Sequence, residues 1–428
     1  MMNGHLELTD VPPLLRAAFD TLDGSGCAWV MLRDSGSGVS AYGDVDILVE
    51  SAAAARLDSL FANLGYRRLP GAGQGSHRFY LGYDIACDTF VTLDIVTEVA
   101  FGRRLEFLTA AAPSLLARAG RVDGVNVLAA DDAFWHLLLH YLLDKRSVPP
   151  GGHERLARTA VTATPAGRLA ETVDSVRPAG LTAADILALV RGGDTQAVDA
   201  LSGALRRAWR TKDRRRVRSR LVRSRLERAH LLRSPGHRSI GMSIAILGPD
   251  GAGKTTLASG LVASVPLPSR LVYMGVWREY PWDRWVRWLP GARLGFRLAR
   301  LAARAVECQY HRLRGRIVFL DRFTYDAALP TPELDWRGRV TAAMVRRLSS
   351  EPDLVLVLDA PAEVMYARKG EQGVPVLARD RTAYLHLARK HPAATVIDAS
   401  LPPSQVRQQA HLAFWRAVLE HAAVGAKI

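Results

Sequence analysis

The segment SIAILGPDGAGKTTLASGL, residues 243–261, constrains this chain more than any other stretch. An apolar, β-branched run leads into three glycines, a lysine and two threonines, and apolar residues at helical spacing follow. A strand that ends in such a loop and re-enters a helix turns successive backbone N–H groups into one concavity, which holds phosphate without side chains. Gly248, Gly253, Lys254 and Thr255 fit the spacing Gly-x-x-x-x-Gly-Lys-Thr. In that pattern the lysine reaches the outer phosphates and the threonine hydroxyl serves a magnesium ion. The binding set read from the motif is Gly248, Pro249, Asp250, Gly251, Ala252, Gly253, Lys254, Thr255 and Thr256, with ATP and Mg2+ as the cofactors.

Further short apolar runs follow at parallel-sheet intervals: RLVYMGV, GRIVFLDRF, PDLVLVLDAP and AATVIDAS. Helical stretches separate them, which predicts a doubly wound parallel α/β domain over 239–428. Ligands of such sheets bind at the carboxyl ends of the strands, where Asp321, Arg322, Asp359 and Asp398 fall.

The segments GPDGAGKTT, FLDRF, PDLVLVLDAPAEVMYARKGE and VIDAS together resemble the thymidylate kinase group of P-loop kinases. The resemblance implies that Asp250 lies close to the transferred phosphoryl group. It implies that Arg322 grips an acceptor phosphate, while Asp321, with Thr255, serves the metal and its waters. It makes 368–381 a lid, with Arg368, Arg379 and Arg381 as clamps on developing charge. Phosphoryl transfer needs positioning and charge neutralisation more than covalent help, which suits this residue set. The acceptor side departs from the family. After the Asp-Arg pair the chain continues TYDAALPTPELDW, and Arg278-Glu279 stands among the unfamiliar neighbours VWREYPWDRWVRW. The acceptor is therefore read only as a phosphorylated small molecule, a nucleoside monophosphate or sugar phosphate. Trp282, Trp285 and Trp288 recur at a spacing that suits one helix face, for packing, for a lipid headgroup or as an aromatic wall.

The first half holds a second constellation. AWVML reads as a strand, residues 33–43 as a loop, and DVDILV as another strand. Residues two apart on a strand face the same way, so Asp44 and Asp46 present paired carboxylates. HRFYLGYDIACDTFVTLDIVTEV reads as a hairpin whose second strand carries Asp94. Asp-x-Asp plus a third acid resembles the nucleotidyltransferase superfamily over about 11–128, which implies metal ligation by Asp44, Asp46 and Asp94. Arg33-Asp34 stands where that superfamily usually has Gly-Ser or Gly-Gly, and Gly36-Ser37 lies just beyond. The predicted organisation is an α+β domain at 1–128, a helical extension at 129–205, a basic linker helix at 206–238 and the P-loop domain at 239–428. His136 and His140 stand four apart on a predicted helix; their apolar neighbours favour packing over metal binding.

The charge is local. The chain carries a net charge of +15, and residues 206–238 hold 14 Arg or Lys against Asp213 and Glu227. Val217, Leu221, Val222, Leu226 and Ala229 form a narrow apolar stripe there, the pattern of a basic helix docked on a domain. An anionic membrane surface is the alternative partner, and no nucleic-acid fold motif accompanies the segment. Three widely spaced cysteines fit no zinc or disulfide pattern, and MMNGHLELTD lacks the leader of a signal peptide, so a cytoplasmic protein is expected. The oligomeric state stays open, with a dimer compatible with the kinase resemblance. Against the two-domain enzyme stands a reading from another class, a nucleotide-regulated peripheral membrane protein that binds anionic lipid through its basic helix and tryptophans.

Overall fold

The computed structural model describes residues 11–32, 44–69, 75–233, 240–274, 292–325 and 350–425. Its contacts divide the chain into two compact units, 1–234 and 235–428.

The first unit is built on a mixed sheet. Helix α1 (Pro13–Gly24) precedes β1 (Trp29–Met31) and β2 (Asp44–Val49), then α2 (Leu57–Asn63), β3 (Arg67–Arg68), β4 (Arg78–Asp84) and β5 (Thr89–Val96). A small ribbon of β6 (Ala100–Phe101) and β7 (Phe107–Leu108) follows, then α3 (Ala112–Ala117), β8 (Gly120–Val122) and β9 (Val125–Val127). The seven-stranded sheet runs β3-β4-β5-β2-β1-β9-β8. β2 and β5 are parallel neighbours, while β4 and β5 form the expected antiparallel hairpin. Alternation along the strands divides the core. Trp29, Met31, Val45 and Ile47 pack with Leu15, Phe19 and Phe61 of α1 and α2. Val30, Leu32, Leu48 and Val96 face a helical layer. Both faces of the sheet are covered, as a sheet with apolar side chains on both faces requires.

That layer comprises α4 (Ala130–Leu139), which runs into a π-helical turn at His140–Lys145, then α5 (Gly152–Ala160), α6 (Arg168–Val176), α7 (Ala183–Arg191), α8 (Thr195–Lys212) and α9 (Arg214–Arg233). The basic segment is divided between the last turns of α8 and α9, with the break at Asp213. Two of its apolar residues are sunk in the unit: Trp209 and Val217 belong to the same core as Phe134 and Trp135. Arg220 donates to the Leu105 carbonyl at 2.8 Å and to Glu98 at 3.0 Å. The expected apolar stripe is therefore docked only in part: Leu221 packs against that core, while Val222 and Leu226 are exposed.

In the second unit, β10 (Ser243–Leu247) leads into α10 (Lys254–Ser264) and β11 (Ser269–Tyr273); α11 (Ala292–Leu313) precedes β12 (Ile317–Asp321). β13 (Leu354–Asp359), α12 (Ala362–Lys369), α13 (Val374–Lys390), β14 (Ala394–Asp398) and α14 (Pro403–Gly425) complete it. The sheet is parallel throughout, in the order β11-β12-β10-β13-β14. β10, β12 and nearly all of β13 are buried, which is why those strands read as continuous apolar runs. Leu301 and Cys308 of α11 and Tyr384 of α13 pack on one face with Val318, Leu320 and Val355. On the opposite face Phe414 of α14 meets Phe319, and Ser264 of α10 bonds His411 of α14 at 2.7 Å. The chain leaves β10 toward one edge and returns to flank it with β12 and then β13. The crevice at the carboxyl end of β10 is therefore the topological switch point.

Among the described residues no helix is long and apolar enough to cross a membrane.

Candidate phosphate-binding site

The loop after β10 is shaped by glycine. Gly251 has φ +84, and a Cβ there would collide with the Met365 carbonyl of α12. Gly253, at φ +93, caps the start of α10. Left-handed backbone at these positions costs an L-residue about 1–2 kcal/mol, and the close approach at Gly251 excludes any side chain. The result is a tight loop that delivers the unpaired N–H groups of the first turn of α10 to the switch-point crevice.

Lys254, the first residue of α10, is buried and donates to the carbonyls of Gly248 and Pro249, both at 2.7 Å. Its ammonium thus lies inside the curl of the loop, 3.5 Å from Asp250. Asp250 is a meeting point of cations: Arg322 at 2.5 Å, Lys254 at 3.5 Å and Lys369 at 3.9 Å. Burial pushes its carboxyl up, but the Arg322 and Lys254 charges outweigh that and hold it below the usual carboxylate range. Arg322 reaches the loop from an adjacent strand, since β12 pairs with β10 and sets Asp321 opposite Ile246. Its backbone is left-handed, at φ +67. Non-glycine residues rarely adopt that conformation, and strain of this kind gathers at functional sites.

Asp321 shows the most informative imbalance. One carboxylate oxygen accepts from the Thr255 hydroxyl at 2.8 Å. The other is buried and, among the described residues, has no hydrogen-bond partner. A buried carboxylate oxygen left bare is costly, and a metal ion or its water would satisfy it. The hydroxyl of Thr255 and the open oxygen of Asp321 therefore fit a magnesium ion with the hard oxygen ligands that such an ion takes.

The three lid arginines part company. Arg381, on α13, grips Asp359 at the end of β13 with two bonds, Nε to Oδ1 at 2.5 Å and a second nitrogen to Oδ2 at 2.9 Å. That bond raises its pKa. Arg368, near the end of α12, donates to the Ala399 carbonyl just after β14 at 2.9 Å. Arg379 is exposed and meets its neighbour Asp380 at 3.4 Å. Residues 368–381 thus comprise the end of α12, a short turn and the start of α13. Lys369, which the sequence reading passed over, stands nearer the loop carboxylate; its only signal was its place beside Arg368.

In the first unit, the register of β2 and β5 sets Asp46 directly opposite Asp94, with Asp44 opposite Thr92. Asp94 is buried and engages His77 Nδ1 at 2.8 Å. Among the described residues no group of three or more His, Cys, Asp or Glu is arranged to hold a metal ion. By the register of β2 and β5 and the alternation along a strand, Asp44, Asp46 and Asp94 share one face of the sheet. Asp44 is exposed at the start of its strand, and Asp94 is turned to the imidazole of His77, which no motif singles out. His136 and His140 are both buried, His136 against Phe101 and His140 bonded to Asp144 at 2.6 Å. Arg33, Asp34, Gly36, Ser37, Arg278, Glu279, Trp282, Trp285, Trp288 and most of TYDAALPTPELDW lie outside the described residues.

No family model matches the chain. Among solved structures it is similar to a deoxyadenosine kinase from M. mycoides, determined with bound dATP. The identity is 15%, the TM-score 0.31, and the match covers 40% of this chain and 98% of that one. A likeness of this size decides nothing about the reaction; the loop, strand and carboxylate geometry of the second unit carries the functional reading.

Proposed function

We propose that the second unit transfers the terminal phosphoryl group of ATP to a phosphorylated small-molecule acceptor, in the manner of thymidylate kinases. The observation that carries the reading is Asp321, buried beside Thr255 with one oxygen unpartnered. Buried polar atoms are as a rule hydrogen-bonded, so a bound cation or its water accounts for the open oxygen. In the proposed reaction an oxygen of the acceptor phosphate attacks the γ-phosphorus. The bond from that phosphorus to the β,γ-bridging oxygen breaks, and ADP leaves. The loop N–H groups and the first turn of α10 hold the donor phosphates. Lys254 exchanges its loop carbonyls for phosphate oxygens, and Arg322 exchanges Asp250 for the acceptor phosphate. Thr255 and Asp321 would hold a magnesium ion, which would supply charge neutralisation at the donor phosphates. Arg381 positions the end of β13 through Asp359.

The test is acceptor-dependent ADP release by the full chain against a panel of nucleoside monophosphates and sugar phosphates. A folded protein that binds ATP and turns it over with none of them sinks the transfer reading. Thymidine monophosphate is included as a control. Efficient turnover of it, with kcat/KM in the usual range of about 10⁴–10⁸ M⁻¹s⁻¹, would overturn the departure read from the acceptor side.

A further inference from the structure

The function proposed for the second unit leaves the arginine-rich segment without a role. In the first unit its side chains help to close a pocket of about 560 Å³, walled by Arg103, Arg104, Arg146, Arg206, Arg210 and Arg225. These residues come from separate parts of the chain. Arg103 and Arg104 lie in the turn between β6 and β7, Arg146 follows the π-helical turn, and the others sit on α8 and α9. Arg146 stands at φ +71, a left-handed close to that turn, so a locally unfavourable backbone presents one of the six cations.

Glu106 is the one carboxylate on the wall. It is buried, 3.8 Å from Arg210, and accepts the backbone N–H of Arg104 at 3.0 Å. Among the described residues none of the other five guanidiniums has a carboxylate within ion-pair distance. The Nε of Arg206 is buried and has no hydrogen-bond partner among the described residues. Burial lowers the Arg206 pKa, the Arg146 and Arg210 charges add to that, and Glu106 only partly opposes it. Six guanidiniums around one carboxylate repel one another; Arg103, Arg146, Arg210 and Arg225 are exposed to water, whereas Arg206 is only half-exposed. A fold that lines one concavity with all six, one of them with an orphaned buried N–H, has the form of a site completed by an anion.

Guanidinium forks match phosphate oxygens two at a time, and the excess of positive charge calls for more than one phosphate. The concave shape and size suit a small molecule. We propose that this pocket binds a polyphosphate group, two or more phosphates borne together on one small anion, whether free in solution or on a lipid headgroup. The site is separate from the loop of the second unit and does not depend on the reading given to that loop.

The experiment uses the full chain carrying Lys254→Ala, so that the loop contributes little, titrated calorimetrically with inorganic tripolyphosphate at low and near-physiological salt. One equivalent should bind, more weakly as salt rises. Arg146→Gln with Arg225→Gln, both at exposed positions, should weaken binding about tenfold or more while the circular dichroism and melting profile stay unchanged. Arg206→Gln should do the same, and its own melting curve separates lost binding from lost fold. Co-sedimentation with phosphatidylcholine vesicles containing a few per cent phosphatidylinositol bisphosphate distinguishes the sources. Sedimentation that the arginine variants abolish and tripolyphosphate competes assigns a lipid headgroup. Tripolyphosphate binding without sedimentation assigns a soluble ligand. No binding of tripolyphosphate to the Lys254→Ala chain, or binding that the arginine variants leave within twofold, overturns the proposal.

Discussion

Arg322 and Asp250 form a 2.5 Å ion pair that joins the end of β12 to the loop after β10. The pair spans 72 residues of sequence, and Arg322 stands in left-handed backbone. It rests the arginine of the proposed acceptor site on a carboxylate of the donor loop, so each half of the reaction is aligned by the other. Arg322→Lys keeps the charge and loses the fork. It should raise the acceptor KM or lower kcat by roughly 10- to 100-fold, the range expected for a lost charge-assisted bond of about 1.5–3 kcal/mol. Steady-state kinetics with ATP and acceptor varied separately checks this; an equal loss of ATP affinity would place Arg322 on the donor instead.

Asp250 gives the loop a pH dependence. Its pKa is lowered in the folded chain by Arg322 and Lys254 despite burial. A depressed carboxylate stabilises the fold above its unfolded value, about 3.9, and that stabilisation is lost as pH falls through the folded value. Asp250→Asn should therefore destabilise the second unit at pH 6–8 by about 1–3 kcal/mol. The gap to the wild type should stay constant down to roughly pH 5 and narrow below about pH 4. Urea denaturation of both proteins across that range reads it directly.

Lys254→Ala removes a buried cation directed at phosphate. Turnover of ATP should fall by about 10² to 10³ or more, since such a group in a dry site contributes several kcal/mol to the transition state. Single-turnover ADP release by a protein with native circular dichroism is the measurement. Unchanged turnover would remove the loop from the chemistry.

Asp321→Asn keeps the shape and the bond from Thr255 while removing the charge that the open oxygen offers a cation. The Mg2+ concentration for half-maximal activity should rise by about tenfold or more, with metal-free ATP binding spared. Fluorescence titration of ATP with and without Mg2+ separates the two. If both titrations shift together, Asp321 acts by shaping the loop and not by holding the metal.

Trp209→Ala tests whether the basic segment belongs to the first unit. Trp209 is 1% exposed and packs against Phe107. Its removal should cost about 3–5 kcal/mol and lower the melting midpoint of that unit. A linker helix lying free in solvent would lose almost nothing.

The sequence alone determined the elements of the second unit. Its central strands β10, β12 and β13 are buried on both faces, so they are continuous apolar runs bounded by polar residues. The loop is legible for a related reason. Its glycines answer a local backbone demand, and Lys254 and Thr255 stand at a fixed distance along one chain. The alternation that marked β2 and the β4–β5 hairpin is local too, and it led to Asp46 and Asp94 facing each other across two strands. What tertiary structure alone decided is which charges meet. Asp250 with Arg322 and Lys369, Arg381 with Asp359, and Asp94 with His77 are pairings across crossovers and strand registers. No propensity or spacing encodes them, because a charged side chain at a strand end carries no periodic signal of its partner. The arginine pocket is the extreme case. The sequence displayed the charge on 206–238 as a run along one helix, whereas packing of Trp209 and Val217 broke that run at Asp213 and folded it against Arg103, Arg104 and Arg146. Hydrophobic burial set the position of the helices, and the arginines were carried into one another's company by it.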